Sequence, residues 1–320
     1  MINDHQITKL TFEIDAASHK QKLGDYLFAN VRSLSKMYLR ELIKTGKCEV
    51  NGTHENSGYR LRERDFIEID ADLSRGTAMQ PEDIPLDIVY EDAEIVVVNK
   101  PAGMLVHPSH RDKNGTLLNA LVFHLNSKGV EEERSRGESK MQISSTPFLL
   151  YSSTSFIRPG LPHRLDKQTS GLIVVAKTAR AHRRLTEHFM AKRVEKLYIA
   201  LVEGIVKSDV GTIIAPIGRF PELKHWSVKE DGKLSETKYF VRERFEDTTL
   251  LELEPVTGRT NQLRIHCELI GHPIVGDTRR GGREFRRLCL HANKLAFPHP
   301  ASGERMEFVS DLPAEFAICK

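Results

Sequence analysis

The feature that most constrains the chain is a polar segment that leads directly into a strongly apolar one. Residues 163–171 read His-Arg-Leu-Asp-Lys-Gln-Thr-Ser-Gly and continue into the apolar run Leu172–Ala176, which is typical of a buried strand. The segment places one carboxylate, Asp166, between two cations, Arg164 and Lys167, where the backbone enters that strand. Nearby cations favour the ionised form of a carboxyl group, which is suited to act on an electron-poor centre. Asp166 is therefore the first candidate catalytic residue.

Composition and apolar patterning narrow the class of protein. At 320 residues, with 39% hydrophobic and 28% charged side chains, the chain has a globular composition and is long enough for two domains. No apolar run approaches the roughly 20 residues that span a bilayer, and the N-terminus lacks the basic and apolar regions of a secretory signal. We therefore expect a cytoplasmic protein without a membrane partner.

The cysteines give no indication of a disulfide framework or a metal site. Cys48, Cys267, Cys289 and Cys319 are far apart, and no Cys-x-x-Cys pair occurs. In a chain of this size such spacing indicates reduced thiols. No Cys/His pair with ligand spacing is followed by a second such pair, so the sequence predicts no metal site.

The N-terminal part of the chain is locally basic, since residues 20–64 contain ten Lys or Arg against five Asp or Glu. Within it, Ser33 is a candidate N-cap of a helix. Lys36, Arg40 and Lys44 recur every fourth residue and form a basic stripe on that helix. Such a stripe is suited to phosphate binding, although a solvated amphipathic helix has the same pattern.

A hairpin and a further strand follow this helix. Asn51-Gly52 is a strong signal for a two-residue hairpin turn, and Phe66–Ile69 alternates as a half-buried strand does. Residues from about 18 to 72 therefore have the features of a small separate α/β module. A Ser-, Gly- and Pro-containing linker over 73–84 follows it.

We accordingly predict a first domain over 1–75 and a second over 76–320. The second is rich in strands joined mostly by turns, which predicts an α+β domain with a mainly antiparallel mixed sheet. A charged and Ser/Thr-rich segment over 126–160 is expected to be a surface insertion. The expected strands are Leu86–Tyr90, Ile95–Asn99, Leu172–Lys177, Leu197–Val202, Thr237–Arg242 and Leu250–Pro255, and the expected helices are Ala179–Lys192 and Thr260–Leu269.

Four further segments combine turns, strands and polar or basic side chains. Strand alternation puts Lys196 and Tyr198 on one face, and a helix after Gly258 would carry Arg264. Taken alone, Tyr198 would be an ordinary core tyrosine, and Arg264 would be a surface arginine bonded to a local carboxylate. The segments are Asn99–Pro108, Lys196–Gly204, Thr257–His266 with its continuation Gly271–Asp277, and Leu290–Pro300.

Together with residues 163–171, these segments resemble the motifs of pseudouridine synthases of the RluA type, in the same order. The resemblance implies isomerisation of uridine to pseudouridine in RNA, on the fold of that family and without a cofactor. It makes Asp166 the catalytic residue and Arg264 the cation paired with it. It puts Tyr198 against the uracil ring, as the candidate base for the C5 proton. Whether Asp166 attacks C1′, attacks C6 or removes a ribose proton stays open here.

The resemblance also implies how the target uridine is reached and enclosed. A stacked uridine must be extruded from the RNA to enter a pocket. Arg164 is the candidate for filling the space that it leaves, because a guanidinium can stack on bases and contact phosphates. Leu165 and Leu263 are expected to form apolar walls that exclude water from the pocket.

The basic helix and its hairpin carry a second resemblance. Residues 34–52 read Leu-Ser-Lys-x-x-Leu-Arg-x-x-Ile-x-x-Gly-x-x-x-Val-Asn-Gly, which is similar to the S4 RNA-binding domain and implies RNA contacts for Lys36, Arg40 and Lys44. An S4-like module, together with His163 before Arg-Leu-Asp, resembles the large-subunit ribosomal RNA branch of the family. The expected partner is ribosomal RNA, with tRNA as the second possibility, and a monomer is expected.

Two positions depart from the family pattern, and two histidines receive no catalytic role. Asn261 stands where the family has a His, and Arg280 stands where it has an aromatic residue. Neither is expected to touch the three residues assigned to chemistry. His163 and His266 are interpreted as structural hydrogen-bonding groups.

Two other functions remain as alternatives. An RNA-binding or ribosome-assembly protein without isomerase activity has no chemical need for a carboxylate such as Asp166 in an anionic RNA site. A glycosidase or nucleoside hydrolase would usually need a second working carboxylate. Glu203 and Asp277 are available, but the spacing pairs neither with Asp166.

Overall fold

The chain divides into two compact units in a computed structural model that describes residues 7–31, 34–72, 80–109, 112–135, 157–222 and 225–318. One unit comprises Met1–Asp83 and Val122–Ile157, and the other comprises Ile84–Leu121 and Arg158–Lys320. The predicted boundary after residue 75 and most of the predicted insertion lie outside the described residues, so both stay predictions.

The N-terminal unit contains a four-stranded antiparallel sheet and two helices. Asn51 and Gly52 have positive φ angles of 52° and 73°, which is the backbone conformation that the predicted two-residue hairpin turn requires. The strands, in the spatial order β1-β4-β2-β3, are β1 (Ile7–Glu13), β2 (Cys48–Val50), β3 (Thr53–His54) and β4 (Phe66–Asp72). The helices are α1 (Leu23–Asn30) and α2 (Lys36–Lys44), with a 3₁₀ turn at Ala16–Ser18.

Helix α2 begins later than the sequence pattern predicts. Its N-cap is Ser35, whose hydroxyl accepts a hydrogen bond from the Tyr38 N–H at 3.1 Å. Ser33, the predicted cap, lies outside the described residues. The apolar face of the helix is buried and contains Leu39, Leu42 and Ile43.

The C-terminal unit is built on a ten-stranded mixed sheet, and the predicted α+β class is confirmed. Nine strands follow the order β10-β9-β11-β12-β8-β13-β7-β6-β5, and β14 pairs with β13. Among the described pairings, only β7 with β13 is parallel. The strands are β5 (Ile88–Glu91), β6 (Ile95–Lys100), β7 (Ser170–Ala176), β8 (Glu195–Glu203), β9 (Val210–Phe220), β10 (His225–Val228), β11 (Lys233–Arg244), β12 (Thr248–Pro255), β13 (Leu290–Pro298) and β14 (Arg305–Val309).

Four more α-helices and a 3₁₀ turn complete the described chain. Helix α4 begins where Thr178 accepts a hydrogen bond from the Ala181 N–H at 3.0 Å. The first residues of the predicted insertion continue helix α3. In the described ranges, no helix is both long and apolar enough to cross a membrane. These elements are α3 (Leu117–Ser135), α4 (Ala179–Met190), α5 (Gln262–Leu269), α6 (Glu315–Ile318) and the 3₁₀ turn Thr278–Arg280.

One glycine makes the parallel pairing of β7 and β13 possible. Gly171 has φ of 112°, and a Cβ added there would lie 2.3 Å from the carbonyl oxygen of Ala292 on β13. Only a residue without a side chain fits so close an approach. The entry into β7 is thereby fixed, and with it the loop that carries Asp166.

Candidate active site

A cavity of about 760 Å³ in the C-terminal unit brings most of the predicted site residues together. Its walls come from the loop before β7, the end of α4, strand β8 and the segment from the end of β12 into α5. We call it the Asp166 cavity. The predicted residues that line it are Arg164, Leu165, Asp166, Tyr198, Leu263 and Arg264.

Asp166 is a partly buried carboxyl group among several cations. Burial raises its pKa, while the positive charges of Arg264, Arg164, Lys100 and Arg280 oppose the rise. Burial is the largest of these influences, so the pKa lies above the ordinary value of an aspartate. The sequence predicted Arg264 and Arg164 but not the other two cations, and it did not predict that burial would outweigh them. Once ionised, a poorly hydrated carboxylate of this kind is a strong base and nucleophile.

Arg264 forms its hydrogen bonds with groups other than Asp166. Its Nε and Nη2 donate to the two carboxylate oxygens of Asp277 at 2.6 and 2.7 Å, and its Nη1 donates to Asn261 Oδ1 at 3.0 Å. Asp277 is buried, so this is a two-point ion pair with little solvent around it. Arg264 therefore acts on Asp166 by its charge, and its hydrogen-bonded partner is Asp277 and not Asp166 as predicted.

The first departure from the family pattern contacts the site directly. Asn261 precedes α5 in the left-handed region, with φ of 56°, a conformation that Asn tolerates better than most residues. From there its side-chain oxygen accepts the hydrogen bond from Arg264. The expectation that Asn261 touches none of the three residues assigned to chemistry is wrong.

The second departure, Arg280, is a buried cation that joins three elements. From the 3₁₀ turn its guanidinium donates to Glu268 on α5 and, at 2.7 Å, to the carbonyl oxygen of Trp226 on β10. Its positive charge also lowers the pKa of Asp166. An aromatic residue at this position would supply neither the charge nor these hydrogen bonds.

Tyr198 lies on β8 and packs against the main core of the sheet. Burial raises the pKa of its phenol, and the negative charge of Asp166 raises it further. A phenol with a raised pKa keeps its proton at neutral pH. This protonation state suits a ring contact or a hydrogen-bond donor better than a phenolate base.

Lys100 is a buried residue near the site that sequence reasoning read only as a cation beside a turn. Its ammonium group donates to the backbone carbonyls of Pro101, Met104 and Lys167 at 2.7, 2.9 and 3.4 Å. Burial lowers its pKa to about 7, while the charge of Asp166 opposes that shift. The lysine thereby ties the turn after β6 to the loop of Asp166. Its position at the end of β6, one residue beyond the apolar run Ile95–Val98 and Asn99, was the one available signal.

The two histidines have the structural roles that the sequence suggested. The Nε2 atom of His163 accepts a hydrogen bond from the Val174 N–H at 3.0 Å, and burial lowers the pKa of the ring to about 3. His266 is hydrogen-bonded to Ser235 and Thr237, each at 2.9 Å, and burial lowers its pKa to about 4. Both rings are neutral over the physiological range.

Further cations line the Asp166 cavity, and the lining residue Arg164 is exposed. Such a lining is suited to a polyanionic substrate. The other basic lining residues are Lys192, Lys196, Lys238 and Arg259.

The remaining predicted RNA-binding residues belong to the N-terminal unit. Lys36, Arg40 and Lys44 are exposed on α2, adjacent to the apolar face that the helix buries. The Lys36 ammonium lies 4.8 Å from the centre of the Phe28 ring. These three residues form the basic stripe that the sequence predicted.

Metal-binding and thiol chemistry find no support in the described residues. No group of three or more His, Cys, Asp or Glu residues there could hold a metal ion. Burial raises the pKa of the Cys48 and Cys267 thiols to about 12, which makes both thiols unreactive.

The comparisons with known proteins all point to the same family. The model of the family described as RNA pseudouridylate synthase matches residues 94–269. An uncharacterised RNA pseudouridine synthase of Bacillus subtilis is 36% identical over 308 residues, which are 94% of each chain. Ribosomal large subunit pseudouridine synthase D of Pseudomonas aeruginosa is 38% identical over 305 residues, covering 88% of this chain and 85% of the relative. The solved structure of human RNA pseudouridylate synthase domain containing 1 is 27% identical with a TM-score of 0.51, covering 74% of this chain and 85% of that one.

Proposed function

The chain belongs to the RNA pseudouridylate synthase family, and we propose that it isomerises specific uridines in large-subunit ribosomal RNA, with Asp166 as the catalytic residue. The observation that carries the proposal is the environment of Asp166, a partly buried carboxyl group in a cavity lined by cations. The relatives named for large-subunit ribosomal RNA support this choice of substrate.

The isomerisation requires one carboxylate and no external reagent. The N1–C1′ bond breaks, the uracil turns over and C5 bonds to C1′, after which C5 loses its proton and N1 gains one. Asp166 starts the sequence by attack on C1′, by attack on C6 or by removal of a ribose proton, and each route uses the same ionised carboxylate. Arg264 favours that ionised form by its charge, and the bond to Asp277 holds the guanidinium in position.

Tyr198 contacts the uracil ring in this proposal. Its raised pKa opposes the phenolate that direct removal of the C5 proton would need. The C5 proton then passes to a different acceptor. The carboxylates that line the Asp166 cavity are Asp166 itself and Glu254, and Glu254 already lies 3.7 Å from the ammonium of Lys238. Asp166 is therefore the stronger candidate for the base.

RNA binding is shared between the two units in this proposal. Arg164, an exposed residue that lines the Asp166 cavity, fills the space left by the extruded uridine. An S4-like domain over 1–75 binds the RNA backbone through Lys36, Arg40 and Lys44, and the domain over 76–320 carries the chemistry. The exposure and spacing of the three cations on α2 support this assignment.

The proposal is tested by mapping pseudouridine in defined RNAs. Purified enzyme is incubated with large-subunit ribosomal RNA transcripts and with tRNA transcripts, and carbodiimide adducts are located by reverse transcription. We expect new stops at discrete uridines of the ribosomal RNA, and none with Asp166→Asn. Asp209→Asn is the matched control, because Asp209 is an exposed carboxylate that pairs with Arg244. Reverse-transcription stops confined to tRNA would refute the assignment of large-subunit ribosomal RNA as the substrate. Their absence from every RNA that the protein binds would favour the RNA-binding alternative.

A further inference from the structure

A second cavity, of about 370 Å³, lies beside the Asp166 cavity in the same unit. It is formed by β9, β10, β11 and the turn before α5. The two cavities share Gly258, Arg259 and Thr260 in their walls. A Cβ placed on Gly258 would meet no atom within 4 Å. We call this second space the Trp226 cavity.

The Trp226 cavity has an excess of positive charge. Its one acidic lining residue, Asp231, is already bound by Lys229 at 2.9 Å. Arg219, Lys233 and Arg259 also line it and are exposed. Among the described residues, no carboxylate lies within ion-pair distance of these three cations. Unpaired cations around a concave surface are suited to bind phosphate groups.

An aromatic face accompanies these cations. Trp226 on β10 is the cross-strand partner of Arg219 on β9, and residues directly opposite in an antiparallel pair project to the same face of the sheet. The indole and the guanidinium are therefore neighbours, and both line the cavity. An aromatic ring next to a guanidinium is the combination on which nucleic-acid bases stack.

Strand β10, which carries the tryptophan, is anchored in place. It is an edge strand that pairs with β9 alone among the described strands. The buried Arg280 donates to the Trp226 carbonyl oxygen and also to Glu268 on α5. This arginine stands where the family pattern has an aromatic residue, and it fixes the position of the tryptophan relative to the helix that carries Arg264.

We propose that the Trp226 cavity binds a nucleotide that flanks the target uridine, with its base against Trp226 and its phosphates at Arg219 and Lys233. The inference rests on the proposed function, because it requires RNA in the Asp166 cavity. The shared lining residues place the two cavities side by side, so that in this proposal one RNA strand enters both. A base–aromatic contact is tolerant of sequence, so the site would add affinity and orientation for any neighbour of the target.

The tryptophan itself reports on the proposal, since it is the only one in the chain. Its fluorescence and its quenching by acrylamide are followed while a large-subunit ribosomal RNA transcript is added to the full-length enzyme. We expect quenching of the emission and protection from acrylamide, both saturating at the RNA concentration that saturates binding measured by anisotropy. Binding without any change in the tryptophan signal would overturn the proposal.

Kinetic variants test the same site independently. Trp226→Ala and Arg219→Ala should each raise KM for the RNA on the order of tenfold through the lost stacking and phosphate contacts. Trp226→Phe keeps an aromatic face and should recover most of the loss. Lys207→Ala is the control, because Lys207 is an exposed cation of the same unit outside both cavities.

The outcomes separate this inference from the proposed function. If Trp226→Ala is misfolded by circular dichroism, the Arg219→Ala variant decides, because its side chain is exposed. Unchanged KM in Arg219→Ala, with an active wild-type enzyme, refutes the flanking site and leaves the isomerase intact. An inactive wild-type enzyme refutes the proposed function, whatever the tryptophan signal does.

Discussion

The balance of burial and charge at Asp166 determines how the site can work. Burial favours the neutral carboxyl group, and four cations favour the carboxylate, with Arg264 the strongest of them. Asp277 and Asn261 hold that arginine by three hydrogen bonds. Burial thus keeps this carboxyl group poorly hydrated, while the cations oppose the rise of its pKa. Among the cations, Arg264 makes the largest contribution.

Arg264→Gln should therefore move the pH dependence of the reaction in a definite direction. Loss of the cation removes attraction for the ionised form of Asp166, so its pKa rises further and the protonated form persists to higher pH. We expect the acid limb of the kcat/KM profile to shift to higher pH and kcat/KM at neutral pH to fall by roughly tenfold or more. The measurement is the pH profile of isomerisation.

The matched control for this variant is Arg305→Gln, which removes an exposed arginine from its surface ion pairs with Glu195 and Glu307. That profile should overlay the wild type. A profile of Arg264→Gln that coincides with the wild type would show that Arg264 does not govern the ionisation of Asp166.

The sequence brought together residues that line one cavity better than it predicted their hydrogen-bond partners. Asp166, Tyr198 and Arg264 were predicted from ordered motifs, and all three line one cavity. The bonding of Arg264 to Asp277 was not predicted, because it depends on how the turn after α5 folds back against the helix. The role of Lys100 was not predicted, because its ammonium group is hydrogen-bonded to three backbone carbonyl oxygens. No pattern of side chains in the sequence encodes such bonds.

At the scale of elements, the junction between the Asp166 loop and β7 is the most constrained part of the fold. Gly171 sits on β7 directly opposite Ala292 of β13, with the backbones in close approach. The parallel register at this point fixes the direction in which β7 leaves the loop. The position of Asp166 therefore depends on a glycine in the strand as well as on its own neighbours.

Gly171→Ala should be strongly destabilising. The added Cβ would lie 2.3 Å from the Ala292 carbonyl oxygen, at a φ of 112° that an L-residue rarely adopts. We expect a loss of about 3 kcal/mol or more in the free energy of unfolding, measured by denaturant titration. Activity should fall with it, because the Asp166 loop is attached to this strand.

Gly303→Ala is the control for backbone strain alone. Gly303 also has a positive φ, of 77°, but a Cβ there would meet no atom within 4 Å. The free energy of unfolding of that variant should fall by only about 1 kcal/mol. If both variants lose the same free energy of unfolding, the close approach to β13 contributes nothing to the destabilisation of Gly171→Ala.

Element prediction succeeded where the residue pattern was regular. The Asn51-Gly52 turn, helix α4 and the predicted strands of the large sheet are all present. Strand β9 was not predicted, because Pro216 and two glycines interrupt its alternation. The short edge strand β10 was not predicted either. Strand β1 was not predicted, although its sequence Ile-Thr-Lys-Leu-Thr-Phe-Glu alternates as a half-buried strand does.

At the scale of the whole molecule, a net charge of +3 conceals local concentrations of cations. One concentration lines the Asp166 cavity and its neighbour, and another lies on α2 in the N-terminal unit. Polyanion binding depends on such local fields more than on net charge. Affinity for RNA should therefore be strongly salt-dependent.

The combined variant Lys36→Ala, Arg40→Ala, Lys44→Ala should weaken RNA binding without altering the chemistry. Each lost phosphate contact reduces the slope of log Kd against log salt by about 0.7 to 0.9, so three contacts amount to about 2. We expect kcat to be retained and Kd to rise, measured by anisotropy across a salt series.

A variant with the same loss of charge serves as its control. Lys20, Lys22 and Arg60 are exposed cations of the N-terminal unit outside α2, and their replacement by alanine should change the slope less. If both variants have the same slope as the wild type, the basic stripe does not bind RNA and the S4-like assignment loses its support.

The most direct test of the account is tritium release from ribosomal RNA labelled at uridine C5, because departure of that hydrogen is specific to the isomerisation. The wild-type enzyme should release tritium, and Asp166→Asn should lose on the order of 10⁴-fold or more in rate while still binding the RNA. Release by both proteins at similar rates would contradict the role of Asp166. Release by neither, from ribosomal RNA or from tRNA, would contradict the isomerase itself.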